Sequence, residues 1–397
     1  MISFTQATNL LEIEDAYASI AGDGGTYIKI PTSLRFGGGF GIHASFFQFF
    51  ALWSRVQSKP ILRLHSSAIA ANGIATLARQ PHGIAALYFA PLIEDAERHV
   101  IPTREGLAHA VNRIQAMQSG DYLNTMHGRG TFLACFAGAQ NEFLRPFYSK
   151  GKCDSLRGRE DFSRLTEQLV TACAPNAMHQ LNARHIAAIS NLVYELFRNT
   201  DEHAQSDEAG KPYHRNMRGV MVKYTSFSGE TIGAETAGDD MPQKMFMLRT
   251  LSNQKVRVGE SGRPRAASDA AFLEMTVFDT GPGLVRRWLG KNNPGKSLDD
   301  IDIESEVRVV QQCFEQHATT KDSQVSGHGL SLVLSALKEL NAFLRLRTGR
   351  VCLVQDFSAL NASPLFIPKH WLRGRHQLAK VAGASYSIII PLSRGAN

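Results

Sequence analysis

Leu273-Glu-Met-Thr-Val-Phe278-Asp279-Thr280-Gly281-Pro282-Gly283 is the stretch on which the reading of this chain turns. Its apolar, partly β-branched start predicts a buried strand. The strand runs into an acid followed by two glycines, which sets a carboxylate at the edge of a sheet. That carboxylate can accept a hydrogen bond from the amino group of adenine. The glycines let the backbone approach a ligand closely and take positive φ. A simple Asp-Thr-Gly turn ending a strand has the same letters, so the neighbouring segments must decide.

Upstream, the apolar spacing predicts a helix over Ala183 to Ala204 that carries Glu195-Leu-Phe-Arg-Asn199. Residues four apart share one helix face, so the Glu195 carboxylate and the Asn199 amide project together. Hydrolysis of ATP needs a base or orienter for water and an oxygen ligand for Mg²⁺, and these two side chains can supply one each. The competing reading is a solvated face, because Asn191, Glu195, Asn199 and His203 recur opposite Ile189, Val193 and Leu196. Downstream, His317-Ala-Thr319-Thr320-Lys321 is followed by Gly327-His328-Gly329-Leu330, which opens a helix predicted over Leu330 to Leu340. Free N–H groups and the dipole at a helix start favour anions, glycines admit a phosphate chain, and Lys321 adds positive charge. A glycine-containing helix start after a polar loop is the plainer alternative.

A helix with ExxxN, a strand ending in DxGxG, an intervening lid and a GxG helix start, in this order, resemble the GHKL (Bergerat-fold) ATPase superfamily. That group includes the ATPase domains of gyrases, heat-shock chaperones, mismatch-repair proteins and histidine kinases, and the anti-sigma-factor kinases. The resemblance spans Asn182 to Pro391, about half the chain, and includes the closing strand Gly383-Ala-Ser-Tyr-Ser-Ile-Ile-Ile-Pro391. It implies Glu195 as general base, Asn199 as Mg²⁺ ligand and Asp279 as reader of adenine, with Gly281 and Gly283 shaping the base pocket. It implies a phosphate grip by Thr319, Thr320, Lys321, Gly327, His328, Gly329 and Leu330. The family's last strand often begins Gly-Thr, whereas Ala384 follows Gly383 here.

The fold class expected is α+β: a Bergerat α/β sandwich, with a mixed sheet covered by helices on one face, preceded by a small α/β domain. Residues 1–150 form that first domain, 151–181 a linker and helix, and 182–397 the nucleotide-binding domain. Polar or glycine-rich insertions are expected near 226–271 and 358–380, both read as surface loops or partner-binding surfaces. The first domain opens with Thr26-Tyr-Ile-Lys-Ile-Pro31, a glycine-rich turn at Gly37 to Gly41, a helix over Ile42 to Val56 and a strand at Pro60 to Leu64. This order predicts a parallel pair, and the arrangement is vaguely similar to STAS-type regulatory domains.

Two motif matches are set aside. Gly290-Lys-Asn-Asn-Pro-Gly295-Lys296-Ser297 fits the P-loop pattern but lacks a buried strand before it. Gly39-Phe-Gly41-Ile-His-Ala44 fits a dinucleotide pattern, but the next strand ends Leu64-His-Ser-Ser67 with no acid to meet a ribose.

The chain has 397 residues, 43% hydrophobic and 20% charged, enough apolar mass for two or three cores. Its net charge of +7 suits phosphate-bearing ligands or nucleic acid without choosing between them. Its five cysteines form no CxxC, so reduced structural thiols are expected. No apolar run approaches membrane-spanning length and the N-terminus lacks signal character, so a cytoplasmic protein with no membrane partner is expected.

The function expected is a slow Mg²⁺-dependent ATPase acting as a conformational switch, with ATP and Mg²⁺ as cofactors and a lid over roughly Leu284 to Ser326. A protein partner or homodimer is expected alongside. The alternatives are a serine or histidine protein kinase, since the Glu195 to Ala204 box is similar to that of anti-sigma-factor kinases, and an ATP sensor without turnover. A nucleic-acid-associated factor using the basic surface is a further class.

Overall fold

The computed structural model describes residues 1–20, 26–65, 72–149, 155–235, 241–253, 257–258, 264–265, 269–315, 329–359, 363 and 365–392. Strands β1 (Ile2–Ser3), β2 (Tyr27–Lys29), β3 (Ile61–Arg63), β4 (Leu92–Glu94) and β5 (Val100–Ile101) form a small sheet in that order. β1 to β4 run parallel and β5 antiparallel, so this sheet is the mixed one. Its connections hold α1 (Leu10–Ile20), α2 (Ile42–Val56), α3 (Asn72–Leu77) and α4 (Pro81–Phe89), and α5 (Thr103–Ala108) and α6 (Val111–Ser119) follow β5. The parallel pairing expected of the first two long strands is present between β2 and β3.

The strands β6 (Gly130–Phe136), β9 (Met217–Ser228), β12 (Asp269–Asp279), β13 (Phe343–Thr348), β14 (Val351–Asp356), β15 (Lys369–His370) and β16 (Ala384–Leu392) form the larger sheet. Among the described residues its order is β15-β14-β13-β16-β12-β9-β6. Every neighbouring pair is antiparallel, whereas a mixed sheet was expected in this half. The α+β class holds. The edge strand β6 lies upstream of residue 150, so the larger sheet draws on the segment expected to belong wholly to the first domain.

Between these strands lie β7 (Tyr148–Ser149), β8 (Ser155–Leu156), α7 (Arg159–Cys173), α8 (Pro175–Met178) and α9 (Ala183–His203). After β9 come α10 (Gly229–Glu235), α11 (Met241–Asn253), β10 (Arg257–Val258) and β11 (Pro264–Arg265). α12 (Leu284–Asn292), α13 (Ile303–Cys313) and α14 (Gly329–Glu339) follow β12. α7 and α9 cover one face of the larger sheet, with α14 packed along α9. The other face is covered too, which differs from the one-sided arrangement expected.

α2 explains the second cover. Its sequence IHASFFQFFALWSRV is apolar nearly all round, and eleven of its fifteen residues are buried, as a helix wedged between two layers requires. Phe46 and Phe49 meet Phe4 edge-on at 5.0 and 5.1 Å between ring centroids, beside the small sheet. Phe47 meets Phe278 of the larger sheet at 4.6 Å. One continuous core therefore runs through both halves.

Both segments read as surface insertions contribute to this packing. In the first, α11 sets Phe246 against Phe272 and Phe343, at 6.2 and 5.4 Å, on the same face as α2. In the second, Trp371, Leu372 and Leu378 are buried and β15 extends the sheet edge. Polar composition hid these contacts because a few well-spaced apolar side chains suffice to cover a sheet edge. Cys135, Cys173 and Cys352 are buried free thiols, in line with the structural role expected, while Cys153 lies outside the described residues.

Candidate functional site

Successive residues of β12 point to opposite faces. Phe272, Glu274 and Phe278 face α2, whereas Leu273, Met275, Val277 and then Asp279 fall on the α9 face. The strand thus delivers its terminal carboxylate to the side where the Glu195 helix lies. Asp279 Oδ1 accepts the Gly281 N–H at 2.8 Å, and the Ala384 N–H also faces the carboxylate. Burial nevertheless pushes the Asp279 carboxyl up to about 6, the two backbone donors and the more distant Arg55 and Arg287 charges offsetting only part of that cost.

The loop after Asp279 is held on both sides. Thr280 exchanges hydrogen bonds with Met217, its hydroxyl accepting the Met217 N–H at 2.8 Å. A Cβ on Gly281 would sit 2.6 Å from both Cα and O of Ala204, so only glycine lets this loop lie against the end of α9. Gly283 has φ +82° and a Cβ there would meet Thr348 Oγ1 at 2.7 Å. Its neighbour Leu284 donates its N–H to that same hydroxyl at 3.2 Å.

α9 carries the second group. The Glu195 side chain is wholly buried, which overturns the solvated-face alternative for this residue. Arg159 of α7 grips one carboxylate oxygen and Arg198 approaches the other at 2.7 Å. Oε2 has no hydrogen bond of good geometry among the described residues. Asn199, one turn on, is half-buried and carries no hydrogen bond to a described residue.

The third stretch meets the second directly. A Cβ on Gly329, the first residue of α14, would lie 2.7 Å from Glu195 Oε2 and 3.2 Å from Arg198 Nη2. The helix start and the carboxylate are therefore packed closely, and a side chain at 329 would overlap Glu195. Leu330 is buried beneath. Thr319, Thr320, Lys321, Gly327 and His328 lie outside the described residues.

Of the segment expected as a lid, residues 284–315 are anchored. Glu306 of α13 is buried and accepts the Arg350 N–H at 2.7 Å and its Nε at 2.8 Å, and Phe314 stacks on Phe366 at 4.1 Å. Arg287 of α12 donates to the carbonyls of His203 and Ser206. The rest of that segment, 316–326, falls outside the described residues.

Sequence reasoning missed Tyr386. It pairs in register with Val277, on the α9 face, and its buried hydroxyl has no partner among the described residues. Burial, with the neighbouring Asp279 charge, holds that hydroxyl well above the ordinary tyrosine range. A Tyr within an apolar closing strand gives no local signal of this. The two arginines on Glu195 were equally silent, since Arg198 reads as helix surface and Arg159 lies far upstream.

Both set-aside motifs have a local physical account. Gly290 to Ser297 begins within the last turn of α12 rather than after a strand, and Ser297 caps a 3₁₀ turn with Asp300. At the start of α2, the Phe40 and Gly41 N–H groups each donate to a Glu274 carboxylate oxygen at 2.7 Å. The anion that this helix N-terminus favours is thus the protein's own.

No membrane-crossing helix occurs among the described residues. A concavity of about 740 Å³ lies beside α6, away from all the residues above. Compared with protein-family models, with curated proteins and with solved structures, the chain matches none.

Proposed function

We propose that this chain binds ATP with Mg²⁺ on the α9 side of the larger sheet, between the end of β12 and the start of α14, and hydrolyses it slowly as a conformational switch. The observation that carries the reading is the double contact of one helix. α9 abuts Gly329 at Glu195 and abuts Gly281 at Ala204, two and a half turns on. α9 thereby touches two stretches that follow it far along the chain, and this supports the order of segments that the GHKL resemblance implies.

The residues fit the cofactor in three respects. Asp279 is a buried acceptor at a glycine-lined loop, the buried Tyr386 hydroxyl has no partner among the described residues, and the missing side chain of Gly329 lets the start of α14 lie against Glu195. Asp279 would take the adenine amino group, with Tyr386 as a further polar contact to the base. Asn199 would hold the metal through its amide oxygen, and the Gly329 and Leu330 N–H groups at the start of α14 would face the phosphates. Bound ATP supplies a phosphoanhydride bond whose cleavage is strongly favourable. Glu195 orients or deprotonates the attacking water once an arginine has left one of its oxygens.

That last condition supports a second reading. With Arg159 and Arg198 both on the Glu195 carboxylate, the chain is an ATP sensor without turnover unless the arginines move. Calorimetric titration with a non-hydrolysable ATP analogue, run on wild type, Asp279→Asn and Gly329→Ala, tests the binding. Saturable binding lost in both variants is expected, and equal affinity in all three proteins refutes it. Phosphate release that is unchanged in Glu195→Gln assigns the sensor rather than the ATPase.

A further inference from the structure

α6 and the turns around it carry a feature unrelated to the nucleotide region. The concavity of about 740 Å³ on one side of the helix includes Arg79, Asn112 and Arg113 in its lining. A second, of about 360 Å³, includes Gln140, Phe143 and Arg145. Gln115 borders both, so the two concavities adjoin at that residue and together make a trench that its side chain interrupts.

The charge in the trench is unbalanced. Three arginines line it against a single acid, Asp121. Arg113 is half-buried and donates to the Asn124 carbonyl at 2.5 Å, and burial together with the adjacent Arg79 charge pushes it down from its ordinary value. Two guanidinium groups that line one concavity favour an anion there. The side-chain amides of Asn112, Gln115 and Gln140 make no hydrogen bond among the described residues and can meet donors and acceptors on a ligand. Phe143 is exposed at the mouth and braced edge-on against Tyr148 at 5.1 Å. An exposed, braced ring offers a flat stacking surface.

We propose that this trench binds single-stranded nucleic acid: Arg79, Arg113 and Arg145 meet consecutive phosphates, Phe143 stacks on a base, and the amides of Asn112, Gln115 and Gln140 contact base edges. Guanidinium groups tracking a backbone, with an aromatic platform and no deep specificity pocket, are the elements single-strand binders use. The combined size exceeds what one mononucleotide needs, and the net positive charge of the chain acts in the same direction.

Fluorescence anisotropy of labelled dT15 and rU15 against the full chain, over a range of salt concentrations, tests this. Binding that weakens with salt is expected, and the tighter of the two probes identifies DNA or RNA. Arg79→Ala combined with Arg145→Ala removes two exposed side chains and should flatten the slope of log affinity against log salt by roughly 1.4. The same charge removed at Arg184→Ala and Arg373→Ala should leave that slope as in wild type. Phe143→Ala should weaken binding roughly tenfold without altering the slope. Thermal melting verifies that each variant is folded. No binding at low salt, equal effects of the two double variants, or duplex bound as tightly as single strand would each overturn the proposal.

Discussion

Replacing Asp279 with asparagine should stabilise this protein at neutral pH while removing its proposed adenine contact. The carboxyl titrates near 6 in the fold instead of 3.8, chiefly because it is buried. At ~1.4 kcal/mol per pH unit, keeping it ionised costs the folded state about 3 kcal/mol relative to the unfolded chain. The folded pKa lies above the unfolded one, so the native state holds the extra proton between roughly pH 4 and pH 6. The stability tied to that proton is fully present below pH 4 and is lost as the pH rises through 6. Asparagine resembles the protonated acid and does not titrate. The stability difference between Asp279→Asn and wild type should therefore grow with pH, by about 2 kcal/mol between pH 4.5 and 7.5. Urea unfolding of both proteins at the two pH values measures it, and every other titrating group cancels in the difference. A gap that does not widen with pH, or a variant less stable than wild type at pH 7.5, would refute the burial argument. Calorimetry on the same two proteins asks the separate functional question, and unchanged ATP affinity in the variant would remove Asp279 from the proposed site.

Other substitutions probe neighbouring contacts. Tyr386→Phe deletes a buried hydroxyl that has no described partner, so the fold should gain about 1 kcal/mol while nucleotide affinity falls; a loss of stability on urea unfolding would show that the hydroxyl is satisfied. Gly281→Ala drives a Cβ into the Ala204 backbone, which cannot withdraw as a side chain could, and should cost at least ~2 kcal/mol, read as a lowered urea midpoint. Glu274→Ala removes the buried carboxylate that accepts both N–H groups at the start of α2; a loss of about 3 kcal/mol is expected, and a change below 1 kcal/mol would mean that this carboxylate does not join the two halves. Arg159→Ala frees one Glu195 oxygen and should raise phosphate release if Glu195 acts on water, with unaltered turnover speaking against that role.

Local pattern decided the element types. The apolar strand that ends in Asp279, the closing strand that ends at Pro391 and the helix at 183–204 were legible, because each depends on side-chain character and spacing within a few residues. The ordered trio of Glu195, Asp279 and Gly329 was legible as well, although only as separate patterns that each have a plainer explanation. Tertiary structure decided what these residues touch. That Glu195 is buried between Arg159 and Arg198, that Gly329 stands against it, and that the Tyr386 hydroxyl near Asp279 lacks a described partner depend on residues from five distant segments. The placement of α2 between two sheets, with Glu274 closing its N-terminus from 234 residues away, was likewise invisible. Burial and pairing across such separations are set by which surfaces pack together, a property of the assembled chain that no short window of sequence contains.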